Sequence, residues 1–148
     1  MTHEHGSYVS IETAKLLKQA GFDWHTNLVY VDDILLTNPY TADWNNTIPD
    51  TYISAPTLDV AQRWFREVKK ISVEVKTCCW VNRYQDGKYT ISYIYEIFNI
   101  DTSILPIKED KFIRYAIDCA HNIEFQTYEE ALDEGLQTCL TLLLNNKE

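Results

Sequence analysis

Glycine and proline are scarce, four of each in 148 residues, which excludes collagen-like and low-complexity organisation. No apolar run approaches the roughly 18 residues of a membrane helix. The opening MTHEHGSYVS has neither a basic stretch nor an apolar core of the secretory kind, so the expected location is cytoplasmic. None of the four cysteines is in a C-x-x-C pair, which leaves zinc knuckles and thioredoxin-type chemistry without support. The phosphate-cradling, dinucleotide, zincin and nucleophile-elbow motifs are all missing. No cofactor, no metal and no catalytic residue is therefore expected.

Positive charge is also short, with 13 bases against 22 acids and a net charge of −9. An acidic chain gains little from counterion release on DNA or RNA, so direct nucleic-acid binding is disfavoured. The imbalance is local. Residues 1–60 carry eight acids and two bases, whereas residues 61–122 hold ten of the thirteen bases. An anion site in the middle of the chain stays open.

What is present suits one globular domain, with 45% apolar and 24% charged residues. Ser10 is placed to cap a helix over 11–20 that Gly21 ends in the left-handed C′ position. Two short apolar runs, 27–30 and 34–37, flank Asp32-Asp33 as a hairpin. Residues 38–56, with three prolines, read as a long loop. Thr57 is placed to cap a second helix over 58–70, with Leu58, Ala61, Phe65 and Val68 on its apolar stripe. Strict alternation from Ile71 marks a strand that continues towards Tyr84 and returns over 88–98 through Asp86-Gly87. Residues 111–121 fit either a strand or a helix, and strand is favoured. Thr127-Tyr128-Glu129-Glu130 is a capping box ahead of the C-terminal helix. Gly135 interrupts that helix on its apolar face, which points to a close helix–sheet crossing. The sum is an α+β fold: one small antiparallel sheet with about three helices mainly on one face.

Two groups of residues have binding chemistry. Arg63, Arg66 and Lys70 recur along one side of the second helix, and Arg83 follows on the hairpin. Together they make an anion strip for a nucleotide-like ligand or, more ordinarily, a solvated charged face. Tyr40, Trp44 and Tyr52 lie in the polar 38–56 segment. They either contact a protein partner or pin that segment to its own domain. The cluster of Tyr89, Tyr93 and Tyr95 with Trp80 suits ring stacking or plain cross-strand packing. The order of elements over 57–145 is shared with double-stranded RNA-binding domains, but the acidic start of the last helix has the wrong sign for phosphate.

Three segments also carry a resemblance. They are Tyr8-Val9-Ser10-Ile11-Glu12-Thr13-Ala14-Lys15-Leu16-Leu17-Lys18 with Gly21-Phe22-Asp23-Trp24; Tyr52-Ile53-Ser54-Ala55-Pro56-Thr57-Leu58 with Ala61-Gln62-Arg63-Trp64 and Arg66-Glu67; and Thr127-Tyr128-Glu129-Glu130-Ala131-Leu132 with Gly135-Leu136. In this order they resemble an uncharacterised family of small proteins carried by phages and prophages of gut Bacteroidales. The resemblance implies a mobile-element setting inside a bacterial cell and implies no reaction. The function expected from all this is a non-catalytic accessory protein that binds a host or phage protein. The alternative is a protein that sequesters a small anion.

Overall fold

The computed structural model describes residues 7–47, 50–81, 89–99 and 125–145, with the side chains of 80, 81, 89, 90 and 99 excepted. Its elements are α1 (Ile11–Gln19), β1 (Thr26–Val31), β2 (Ile34–Ala42), a one-turn 3-10 helix (Trp44–Asn46), β3 (Tyr52–Ser54), α2 (Leu58–Trp64) running into a π turn (Phe65–Lys69), β4 (Ile71–Val81), β5 (Tyr89–Asn99) and α3 (Tyr128–Asn145). The class is α+β as expected. The strands divide between two antiparallel sheets, β2-β1-β3 and β4-β5, where one sheet was expected. α3 lies against β4 and β5 while also packing on α1 and α2, so it joins the halves through its own apolar face.

The helix ends follow from their residues. Ser10 Oγ accepts the Thr13 N–H at 3.3 Å. At the other end of α1, Gly21 takes φ 93°, and two bonds close the turn, Phe22 N–H to Leu17 O at 3.0 Å and Gly21 N–H to Lys18 O at 3.1 Å. That pair is the Schellman arrangement, which satisfies carbonyls left without helical partners. Thr127 Oγ1 accepts the Glu130 N–H at 3.1 Å, the Thr half of the expected capping box. Thr57 does not cap α2 with its side chain. Its residue pairs with Tyr8 in a β-bridge, and the Leu58 N–H is taken by Ser7 O at 2.8 Å.

Past Trp64 the second helix changes period. Phe65–Lys69 is π-helical and ends on Lys70 in the left-handed region at φ 60°. The wider i→i+5 turn moves later residues off the phase set by Leu58 and Ala61. Val68, expected on the apolar stripe, is exposed for that reason.

The 38–56 segment is built rather than looped. β2 runs through Pro39 to Ala42, the 3-10 turn follows, and β3 pairs with β1 through Val29↔Ser54, Tyr30↔Ile53 and Val31↔Tyr52. Pro39 is tolerated because β2 is an edge strand, where a missing N–H removes no ladder bond that the sheet needs. Its pairing with β1 is interrupted by an irregularity between Leu28 and Thr26. In the second sheet Val81 is opposite Tyr89. A two-residue turn at Asp86-Gly87 would put Tyr84 there. The turn itself, the 82–84 end of the expected strand and the 111–121 assignment lie outside the described residues.

Between β1 and β2, Asp32 and Asp33 both take positive φ, 52° and 64°, and Val31 pairs with Ile34 across them. This is the I′ hairpin turn, for which Asn-Gly is the preferred pair. Changing Asp32→Asn together with Asp33→Gly is expected to stabilise the fold by about 1 kcal/mol, by relieving left-handed strain. The Lys15–Asp33 ion pair lost in the process is exposed on both sides and weighs little. An unchanged urea midpoint would contradict the turn assignment.

Candidate functional site

The three-stranded sheet has an inner and an outer face. Leu28, Tyr30, Leu35 and Ile53 face the core. By strand alternation Val29, Val31, Ile34, Leu36, Tyr52 and Ser54 share the outer face. The 3-10 turn fastens part of that face. Asn45 Nδ2 donates to Phe22 O at 2.8 Å, its Oδ1 accepts the Ser54 N–H at 2.8 Å, and Ser54 Oγ accepts the Asn45 N–H at 3.2 Å. Val29 and Ser54 are thereby buried.

Trp44 and Tyr52 are next to this clamp. Their rings meet edge-on at 6.1 Å, and Trp44 Nε1 donates to Thr26 O at 2.6 Å. Trp44 thus does the pinning that was one of its two expected roles, while both rings stay half-exposed. Beside them apolar side chains stand open to solvent: Ile34 is 61% exposed, Leu36 47% and Tyr40 76%. The sequence signal for Ile34 and Leu36 was the uncharged run of β2, but which side of the hairpin faced the core was not legible from two short runs. Exposed acids flank the patch along the chain: Asp32 and Asp33 at the turn, and Asp50 just before Tyr52. Asp50 keeps a partner in Lys18 at 3.3 Å, and Lys18 Nζ also donates to Tyr52 O at 2.8 Å. Trp44 and Tyr52 are therefore brought together, with Ile34 and Leu36 on the outer face that Tyr52 shares, while Tyr40 is exposed farther along β2, within the irregular pairing.

The basic residues expected to form a strip are spread over α2, the π turn and the residue after it. Arg63 lies over the Trp24 ring at 5.1 Å. The π turn follows it, and Lys70 lies past its end in the left-handed region, off the straight helical repeat that the spacing assumed. Arg66 is exposed. Lys69, rather than Lys70, finds an aromatic, 5.3 Å from the Trp64 ring. Arg83 lies outside the described residues. In the hairpin, Trp80 pairs with Thr90, while Tyr93 is opposite Thr77 and Tyr95 opposite Val75. Tyr93 and Tyr95 are spent on packing: Tyr93 meets Tyr128 at 6.3 Å, and Tyr95 Oη is 3.0 Å from Thr138 Oγ1.

A cavity of about 320 Å³ opens where the N-terminal ends of α1, α2 and α3 converge, lined by Ser10, Tyr30, Leu58, Glu130 and Asp133 among others. Three of its polar side chains, those of Ser10, Asp133 and Tyr30, are committed to bonds within it. The Asp133 carboxylate accepts the Ser10 N–H at 2.9 Å and the Ser10 hydroxyl at 2.7 Å. Tyr30 donates to Val9 O at 2.9 Å. Burial first, then the charges of Tyr8, Asp133 and Glu12, push the Tyr30 hydroxyl up to about 12. Nearby, Glu134 is held above the usual carboxylate value by lost hydration first, then by Asp133 and Glu12. A raised carboxyl stabilises the fold fully below its unfolded pKa and loses that contribution as pH rises through the folded value. Glu134→Gln should therefore raise Tm at neutral pH, and the gain should vanish below about pH 4. A gain that persists in acid would contradict this.

Cys78 is buried and Cys79 exposed, as adjacent strand positions require. Cys139 lies in the core, where burial pushes its thiol up to about 12. Among the described residues no group of three or more His, Cys, Asp or Glu is arranged to hold a metal, and no helix is long and apolar enough to cross a membrane. His3, His5, Cys119 and His121 lie outside the described residues. No family model, curated protein or solved structure matches this chain. The fold and the patch define its class: a small α+β protein with an open apolar and aromatic sheet face.

Proposed function

We propose that this is a non-catalytic accessory protein that binds a host or phage protein through the outer face of the β2-β1-β3 sheet. The observation that carries the reading is the patch itself: Ile34 and Leu36 exposed on the outer face that the half-exposed Tyr52 shares, with Trp44 against Tyr52 and Tyr40 exposed farther along β2. Clustered exposed apolar and aromatic side chains mark contact surfaces on soluble proteins. The acids around it, within a segment 1–60 that holds eight acids and two bases, favour a partner whose rim is basic. The resemblance to small phage and prophage proteins of gut Bacteroidales sets the proposed context, a bacterial cytoplasm. Sequestration of a small anion is the weaker reading, because Arg63 is stacked on Trp24 and the strip is broken by the π turn.

Tyr40→Ala combined with Ile34→Lys tests the proposal, because neither side chain holds the fold together. Trp44 is a poor probe, since its indole anchors Thr26. The double variant should lose a partner that the wild type and the Arg63→Ala/Arg66→Ala variant both retain from a Bacteroidales lysate. Retention by the patch variant, or loss by the arginine variant, would overturn it.

A further inference from the structure

We propose that β2 is also a self-association edge: β2 of one copy adds antiparallel to β2 of a second copy, joining two three-stranded sheets into one of six about a twofold axis at Leu36. The sheet order leaves β2 outermost. In a two-residue hairpin the residues flanking the turn, here Val31 and Ile34, exchange hydrogen bonds, and bonding alternates from there. Ile34 and Leu36 therefore bond to β1. The N–H and C=O groups of Leu35 and Thr37 point away from the sheet.

Edge strands are normally protected by charge, by bulges or by proline. The run Ile34–Ala42, ILLTNPYTA, has no charged side chain. Its only protection is at the far end, at Pro39 and the irregular pairing near Thr26. Among the described residues nothing pairs with the outer edge of Ile34–Asn38, which is left as an open, uncharged template. Among the described residues, three of the six large exposed apolar side chains lie on this one strand: Ile34, Leu36 and Tyr40.

The occupant is read from the register. A strand that pairs with its own copy must be self-complementary. About Leu36, Leu35 falls opposite the second copy's Thr37 and Ile34 opposite its Asn38, while the two Leu36 side chains meet on the outer face. Asp33 and Asp32 fall opposite Pro39 and Tyr40 of the copy, so no acid faces an acid. Over the rest of a molecule of net charge −9, copies repel. The uncharged edge is where they can approach. The Trp44–Tyr52 face stays open in this arrangement, and the inference does not rest on the partner reading above.

Sedimentation equilibrium of the purified chain, from micromolar to millimolar concentration, tests it with no partner present. The wild type should pass from monomer to dimer. Thr37→Pro deletes the outward N–H without touching the β1 ladder, and it should weaken the dimer at least tenfold. Leu36→Lys and Leu36→Glu should each be monomeric alone and should form a mixed dimer when combined, because the twofold axis sets the two residues side by side. Circular dichroism melts at low concentration should match the wild type and so exclude unfolding. A wild type that stays monomeric at millimolar concentration would overturn the proposal. So would a dimer that survives both Thr37→Pro and Leu36→Lys, which would place the interface elsewhere.

Discussion

Gly135→Ala is expected to lower stability by about 2 kcal/mol, although alanine is the better helix former by about 1 kcal/mol. Gly135 sits where α3 crosses β4 and β5. A β-carbon there would lie 2.8 Å from Val73 Cγ1 and 3.0 Å from both Cβ and Cγ of Tyr95. Neither neighbour can yield cheaply. Val73 is β-branched and fully buried, so its χ1 is confined. Tyr95 Cβ moves only with its strand, and its hydroxyl is engaged with Thr138. The crossing must widen, and with it the packing of Leu132, Leu136 and Cys139, all buried on the same face. A chemical denaturation midpoint equal to or above the wild-type value would refute the close crossing.

Trp64→Ala is expected to cost more, about 3–5 kcal/mol, the usual range for truncating a buried aromatic. Trp64 is 1% exposed, with Phe22 and Phe65 each edge-on at 5.4 Å. Against a total stability of about 5–15 kcal/mol, that loss brings the fold near collapse. Among the described residues the buried indole N–H has no hydrogen-bond partner. Trp64→Phe removes that unsatisfied donor while keeping a ring in place, so it should cost far less than the alanine change. Equal losses for Phe and Ala would show that the indole has a partner and that the ring contacts matter little.

The elements legible in the sequence were those whose signal is local. Gly21 announced its turn because a C′ residue at positive φ favours glycine. Ser10 and Thr127 announced caps because their hydroxyls bond three residues ahead. Gly135 broke an otherwise apolar face and so marked the crossing. The failures share one cause, since they depend on what lies across space. A stripe at 3.6-residue spacing could not reveal the π turn that exposes Val68 and separates Arg63 from Lys70. Pro39 and Pro49 made 38–56 look like loop, because edge position, which makes Pro39 tolerable, is a property of the sheet. Thr57 had the right identity for a cap, but its residue is held in a bridge with Tyr8 and its side chain accepts no helix N–H. One sheet was expected because strand count does not say how strands group.

The site was half legible for the same reason. Tyr40, Trp44 and Tyr52 stood out as aromatics in a polar stretch. Ile34 and Leu36 read as ordinary hairpin residues, and only the register with Val29 and Val31 puts them on the outer face. Trp44 turned out to serve the fold through Thr26 as well as to border the patch.

The most direct measurement of the central claim is native mass spectrometry of the tagged chain, purified gently from a Bacteroidales lysate. It reads bound protein, bound small molecules and copy number in one spectrum. A complex with a second protein, lost in Tyr40→Ala/Ile34→Lys and free of any small-mass adduct, is the predicted result. A chain that carries a small anionic adduct and no protein, with the adduct lost in Arg63→Ala/Arg66→Ala, would contradict the account and make the protein a sequestering one.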